Sequence, residues 1–160
     1  PESQTSLATR LERRLAPEAR GRQAVELVCA GALASMPDLP EPLWNGLAQL
    51  AHGHTPHPDL DVRVECARAY LAHIPLPEDG RPPLKARETL CFLIKVLRAE
   101  TPAQEFDPPT WPRKETVAWP KGRAASEIQR WHPTDTPFLP DGAWQAQMDW
   151  AQEAQDALGL

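Results

Sequence analysis

Tryptophan and basic residues alternate within residues 110–132 of this 160-residue chain. The run Trp111-Pro112-Arg113-Lys114 is echoed eight residues later by Trp119-Pro120-Lys121-Gly122-Arg123, and five basic against two acidic side chains give a net charge of +3. Indole rings between cations can grip single-stranded nucleic acid or anchor a segment on a protein surface. They can equally fasten it across the chain's own helices. The predicted partner contacts are Trp111, Arg113, Lys114, Trp119, Lys121 and Arg123.

A second group of cations lies near the N-terminus. Arg10, Arg13 and Arg14 are spaced i, i+3, i+4, so they share one side of a predicted helix. Guanidinium groups suit bidentate contacts with phosphate or carboxylate, which predicts a partner-binding stripe. The alternative is a solvated surface on which neighbouring glutamates pair with the arginines.

Three histidines and two aspartates fall within ten residues. Imidazole and carboxylate groups are ligands for Zn²⁺ or Ni²⁺, which makes His52, His54 and His57 weak candidates for a metal site. The chain has no CxxC pair and no HxxxH pair there, and Asp59 and Asp61 suit the start of a helix. A solvated turn between helices is therefore the favoured interpretation.

Other sequence features argue against an enzyme. The chain has no GxSxG, Walker or GxGxxG motif, so we expect neither catalytic residues nor a cofactor. The net charge of −5 gives no global attraction to nucleic acid or to an anionic membrane, and no apolar run reaches the roughly 20 residues of a membrane span. Three cysteines, an odd number with no CxxC pair, and a polar N-terminus without a signal-peptide pattern favour a cytoplasmic location.

Apolar residues recur at helical intervals between prolines, which predicts an all-α fold. The expected helices cover residues 5–15, 17–35, 42–52, 60–74, 83–100 and 143–158. In the second helix, Val25, Val28, Cys29, Ala32 and Met36 form the predicted inner stripe. The fifth helix is apolar all round near Leu90 to Ile94, so we expect it to be the most central.

Proline divides the chain into parts. Eight of the 19 prolines lie in residues 101–140, which predicts an extended arm because proline lacks an amide donor. The expected organisation is a helical domain over 1–100, a Pro/Trp-rich extended arm over 101–140, and a C-terminal amphipathic helix over 141–160 that packs on the domain.

The segment from Pro58 to Leu71 resembles the second helix of a HEAT repeat. In that family an Asp caps the turn, as Asp59 would here, a Val-Arg pair follows, as Val62-Arg63 does, and small residues and a Leu pack inward. The helix over 42–52 is similar to the first helix of such a unit. The resemblance implies a stack of helices offering a broad surface to partners. An unrelated helical bundle is the alternative.

The same helix with the following Gly80–Pro83 turn also looks like segments of phage small-terminase-type proteins. We therefore expect a non-enzymatic protein–protein interaction module, a subunit or adaptor of a larger bacterial or phage-type assembly. The alternative is a nucleic-acid-binding accessory protein that uses the Arg stripe and the Trp/basic arm. The sequence leaves the oligomeric state open.

Overall fold

The structure, a computed structural model, describes residues 17–99 and 113–160, with side chains over 21–99 and 118–160. Six helices occupy this part of the chain: α1 (Pro17–Ser35), α2 (Glu41–His52), α3 (Leu60–Ala72), α4 (Leu84–Arg98), α5 (Arg113–Trp131) and α6 (Trp144–Leu158). No strand occurs among these residues, which confirms the predicted all-α class. None of the described helices is long and apolar enough to cross a bilayer. The helix predicted over 5–15 lies outside the described residues.

The helices begin where the sequence places proline or an N-cap residue. Pro42 lies in the first turn of α2, and Pro83 immediately precedes α4. At α3 the Asp59 carboxylate accepts hydrogen bonds from the backbone amides of Asp61 (2.9 Å) and Val62 (3.3 Å). These groups satisfy or remove the amide donors that a helix start leaves unpaired.

Helices α3 and α4 together form the centre of the fold. The first packs against α1, α2, α4 and α5, and the second against α2, α3, α5 and α6. The spacing of α3 predicts that Leu60, Val64, Ala67, Leu71 and Ile74 face inward; the last four are at most 2% exposed, and Leu60 is partly buried against the core. The central position that we expected for α4 alone is therefore shared with α3, whose small residues allow close approach by its neighbours.

The predicted inner face of α1 is wrong. Its stripe faces solvent, with Val25 62% and Val28 71% exposed, whereas Ala30 on the opposite side is buried. Leu27 and Leu33 also pack toward the core from that side. Helix α1 therefore carries apolar residues on two opposite faces, and helical periodicity alone does not say which of them meets α3.

Two other helices bury part of the expected face. The spacing of α2 predicts that Leu43, Leu47, Leu50 and Ala51 face inward; Leu47 and Ala51 are buried, but Leu43 and Leu50 are exposed. The spacing of α6 predicts an inner face of Trp144, Met148, Ala151 and Leu158 and an outer face of Asp149, Glu153 and Asp156. Ala151 and Leu158 are buried and the three acids are exposed, but Met148 is only partly buried, Trp144 is 40% exposed and Trp150 takes the inner position.

The expectation of an extended arm does not hold over Arg113–Trp131, which form α5. Pro120 lies inside this helix and is fully buried. An interior proline costs a helix about 3 kcal/mol because it cannot donate to the carbonyl four residues earlier. Burial of Ala124, Ala125 and Ile128 accompanies the packing of α5 against α3 and α4 and offsets that cost. Residues 132–143 are irregular, and residues 100–112 are not described.

Two leucines on α4 provide a matched test of this core. Leu93 is fully buried and Leu84 is 86% exposed. We expect Leu93→Ala to lower the free energy of unfolding by about 3 kcal/mol and Leu84→Ala by less than about 0.5 kcal/mol. Urea denaturation followed by circular dichroism measures both, and equal losses would contradict the burial pattern.

Candidate partner-binding surface

The structure describes only part of the predicted cationic site. Arg10, Arg13, Arg14 and Trp111 lie outside the described residues. Arg113 and Lys114 occupy the first turn of α5, where the backbone alone is described. Trp119, Lys121 and Arg123 follow on the same helix with their side chains described. Trp119 is 43% exposed, whereas the two cations are drawn into contacts within the fold.

Lys121 is almost completely buried. Its ammonium donates to the side-chain carbonyl of Gln147 (2.9 Å) and lies 4.9 Å from the ring centroid of Trp144. The Gln147 amide donates in turn to the backbone carbonyls of Pro140 (2.9 Å) and Gly142 (3.0 Å). Burial lowers the pKa of Lys121. Lys121 therefore joins α5 to the start of α6.

Arg123 is bound to a buried carboxylate. Its Nε and Nη2 donate to the two oxygens of Glu65 at 2.7 and 3.0 Å, and its guanidinium lies 5.7 Å from the centroid of the Trp119 ring. Arg68 donates to the same carboxylate at 3.0 Å. Bidentate pairs of this kind are among the stronger hydrogen bonds in proteins. The contact fixes α5 against α3.

A second buried carboxylate completes this group. Glu127 accepts from Arg130 (2.7 Å) and from the indole N–H of Trp131 (3.1 Å), and Arg130 also donates to the backbone carbonyl of Leu71 (3.0 Å). The Nε of Arg68 is 4.0 Å from Glu127 and makes no hydrogen bond. We call this group the α3–α5 charge cluster; it consists of Glu65, Arg68, Arg123, Glu127 and Arg130.

The charge cluster has no counterpart in the sequence predictions. Glu65 is 7% and Glu127 is 5% exposed, and each sits within an otherwise buried helix face. An acidic residue on a buried face indicates an ion pair or hydrogen bonds within the fold, because an unpaired buried carboxylate is strongly disfavoured. Arg123, the partner of Glu65 on α5, is 58 residues away in the chain, so sequence spacing does not identify this pair.

The three histidines do not converge. His52 hydrogen-bonds to the Thr89 hydroxyl (2.9 Å), His57 pairs with Glu26 (3.0 Å), and His54 is exposed. Within 17–99 and 113–160, no group of three His, Cys, Asp or Glu residues is arranged to hold a metal ion. Those two imidazoles instead join α2 to α4 and the α2–α3 turn to α1.

The surroundings of the Asp61 carboxyl change its pKa. Burial, followed by the negative charges of Asp59 and Glu65, raises the pKa of Asp61 to about 7. The Gln23 amide donates to Asp59 (2.8 Å) and to Asp61 (3.3 Å), which brings the two carboxyls together against α1. A shifted pKa can mark an active site, but here the carboxyls serve the start of α3.

A cleft opens where α3 meets the beginning of α4. It has a volume of about 570 Å³ and is lined by Tyr70, Pro83, Leu84, Lys85 and Glu88. Tyr70 stacks on Trp44 with ring centroids 4.6 Å apart, and the indole N–H donates to the Tyr70 carbonyl (3.0 Å). The Tyr70 hydroxyl donates to the Lys85 carbonyl (3.0 Å).

These contacts fix the position of Tyr70 on one side of the cleft, and Leu84 makes the other side apolar. The ammonium of Lys85 lies 5.3 Å from the centroid of the Trp44 ring, so Lys85 contacts both members of the aromatic pair. Leu84 is 86% exposed, more than the other large hydrophobic residues of the described part of the chain. A fixed aromatic floor beside an exposed leucine can receive an apolar side chain of another protein.

Comparisons of the chain with protein-family models, with curated proteins and with solved structures find no match. The packing of the described helices is compatible with a helical repeat.

Neutralising Glu65 tests the charge cluster. Glu65→Gln removes the negative charge to which Arg68 and Arg123 donate hydrogen bonds, and we expect the free energy of unfolding to fall by about 2–3 kcal/mol. This is less than the roughly 3–5 kcal/mol typical of broken buried pairs, because the Arg123 side chain is 40% exposed. Glu153→Gln changes an exposed acid and is the control. Equal denaturation midpoints for the two variants would contradict the assigned role.

The raised pKa of Asp61 predicts that the stability of the fold depends on pH. The pKa of Asp61 is about 7 in the folded chain and near 3.8 in the unfolded chain. Between these pH values the folded chain keeps Asp61 protonated while the unfolded chain does not, so the free energy of unfolding falls as the pH rises from about 4 to 7. Asp61→Asn should therefore be more stable than the parent chain at pH 8, by about 2 kcal/mol for a half-buried group, and similar at pH 4. Melting temperatures across this range test it, with exposed Asp135→Asn as the control.

Proposed function

We propose that this chain is a non-enzymatic protein–protein interaction module, a subunit or adaptor that binds another protein of a larger assembly. The observation that carries the proposal is the cleft beside Leu84. An apolar side chain of the partner enters against Tyr70, while Lys85 and Glu88 meet polar groups at the rim.

The physical support is that the cleft is already formed. The stacking of Trp44 on Tyr70 and the two hydrogen bonds around it hold the floor in place. Little conformational entropy is therefore lost when a partner binds, and burying Leu84 with a matching apolar group supplies favourable free energy.

The stacking of helices supports the finer proposal of a HEAT-like unit made by α2 and α3. Asp59 caps α3 as the Asp of that family does, and the inward positions Ala67 and Leu71 are buried. The exposed Cys29, half-buried Cys91 and buried Cys66 are all free, which supports a reducing, cytoplasmic setting.

The nucleic-acid alternative requires cations that can reach phosphates. Lys121 is directed to Gln147 and Arg123 to Glu65, so these two predicted contacts are used inside the fold. That alternative then depends on Arg10, Arg13, Arg14, Arg113 and Lys114. It predicts binding to single-stranded oligonucleotides that weakens steeply with salt concentration.

Substitution of two exposed leucines, Leu84 in the cleft and Leu139 outside it, tests the proposed function. The full-length chain is immobilised, proteins retained from a lysate of its source cells are identified, and each candidate is purified and titrated. We expect one candidate to bind the parent chain directly and Leu84→Asp to weaken that binding about tenfold or more, because a charge is placed in the cleft.

Leu139→Asp is the matched control. Leu139 is 62% exposed and lies in the segment between α5 and α6, away from the cleft. It should bind like the parent chain. The proposed function fails if no purified protein binds, or if Leu84→Asp and Leu139→Asp weaken binding equally.

A further inference from the structure

The side of α1 that faces away from the core is apolar and carries no exposed charge between residues 24 and 36. Glu26, the one charged residue in this range, is partly buried and pairs with Arg22 and His57. The exposed residues of the range are Ala24, Val25, Val28, Cys29, Gly31, Ala32, Ser35 and Met36. Val25, Val28, Cys29, Ala32 and Met36 follow one side of the helix, and we call them the outer stripe.

Helix α1 lies at the edge of the described fold. It packs mainly on α3, through the opposite side of the helix, where Ala30 is buried and Leu27 and Leu33 are partly buried. The outermost helix of a stack normally presents polar residues to water. A helix that is apolar on both faces is instead typical of one that packs on both of them. The outer stripe therefore has the character of a contact surface.

The side chains on this side of α1 are arranged so that the surface fits a second copy of itself. A two-fold axis that passes between residues 28 and 29 brings two α1 helices together in antiparallel orientation. Three pairs of residues then meet across the axis: Val28 with Cys29, Val25 with Ala32, and Gly21 with Met36. Each pair combines a larger side chain with a smaller one, as in closely packed helices. A Cβ added at Gly21 would meet no atom within 4 Å, so the space opposite Met36 is free.

The charges beside the outer stripe favour the antiparallel orientation over the parallel one. A parallel pair would place Met36 against Met36 and Arg22 beside Arg22. In the antiparallel pair Arg22, whose side chain is 82% exposed, lies beside the last turn of the other α1, which contains no basic residue. A cation is favourable at that end of a helix. The exposed Asp38 follows the same turn and adds a negative charge there.

We infer that the outer stripe is the interface of a two-fold symmetric dimer, in which α1 of one copy packs antiparallel on α1 of a second copy. Stable interfaces use about 20–30 residues on each side, and this surface offers fewer than half of that number. The dimer is therefore reversible, with a dissociation constant in the micromolar range. The inference is independent of the proposed function, because it concerns α1 and not the cleft.

Sedimentation equilibrium of the full-length chain under reducing conditions tests the inference. We expect a monomer–dimer equilibrium between micromolar and submillimolar concentrations. Val28→Asp should raise the dissociation constant of the dimer about tenfold or more, because the two-fold axis brings two carboxylates together in an apolar contact. Val28 is 71% exposed, so this change removes no core contact. Leu139→Asp, at a residue that is 62% exposed outside α1, is the matched control and should dimerise like the parent chain.

Disulfide trapping tests the orientation of the two helices. Chains that carry Cys29→Ser together with either Val25→Cys or Ala32→Cys are mixed and mildly oxidised. In the antiparallel dimer position 25 of one chain faces position 32 of the other, whereas two copies of position 25 are about 10 Å apart along the helix axis. A disulfide needs Cα atoms within about 7 Å. We expect bonds between positions 25 and 32, identified by peptide mapping, in excess over bonds that join either position to itself.

Three results overturn the inference. The chain may remain a monomer at submillimolar concentration, Val28→Asp and Leu139→Asp may dimerise equally well, or positions 25 and 32 may each link to themselves as readily as to one another. None of these results bears on binding at the cleft, which Leu84→Asp tests separately.

Discussion

The pairing of Glu65 with Arg123 is the interaction on which the arrangement of the helices depends. Glu65 lies on α3, which packs against four other helices, and its carboxylate is almost completely buried. An ionised group in that position is tolerated only when its oxygens are hydrogen-bonded to a counter-charge. Arg123 and Arg68 provide those bonds, and α5 is thereby held in one register on α3. Farther along α5, Glu127 accepts from Arg130 of the same helix, and Arg130 also donates to the Leu71 carbonyl of α3.

Buried hydrogen bonds and aromatic contacts attach α6 and the segment before it to the rest of the fold. Lys121 and Gln147 connect α5 with α6, and the indole N–H of Trp150 donates to the carbonyl of Thr136 in the irregular segment between them. Phe138 meets the edge of the Trp150 ring at 5.3 Å. Lys121, which the sequence suggested as a partner contact, therefore helps to hold the chain's own C-terminal region. This is the internal alternative considered for that segment.

Local sequence signals predicted the bounds of most helices, but they did not predict the helical structure of α5 or the contacts between distant helices. The bounds of α1 agree with the expected range, and Asp59, Pro42 and Pro83 begin their helices as expected, because capping and proline effects act within a few residues. The extended interpretation of α5 failed because Pro120 is buried in a helix whose packing on α3 and α4 outweighs its local cost. The charge cluster was not predicted, since its partners come from separate parts of the chain.

The amino-acid sequence by itself determined the all-α class, the positions at which most helices begin, and the buried side of α3, where one apolar face is unambiguous. Only the tertiary structure decided which face of α1 meets the core, that Arg123 and Lys121 contact other parts of the fold, and that Tyr70 and Leu84 line one cleft. The physical reason is the range of the forces. Capping and helical periodicity are properties of neighbouring residues, whereas a choice between two apolar faces or two counter-charges depends on free-energy differences that arise only when distant segments pack together.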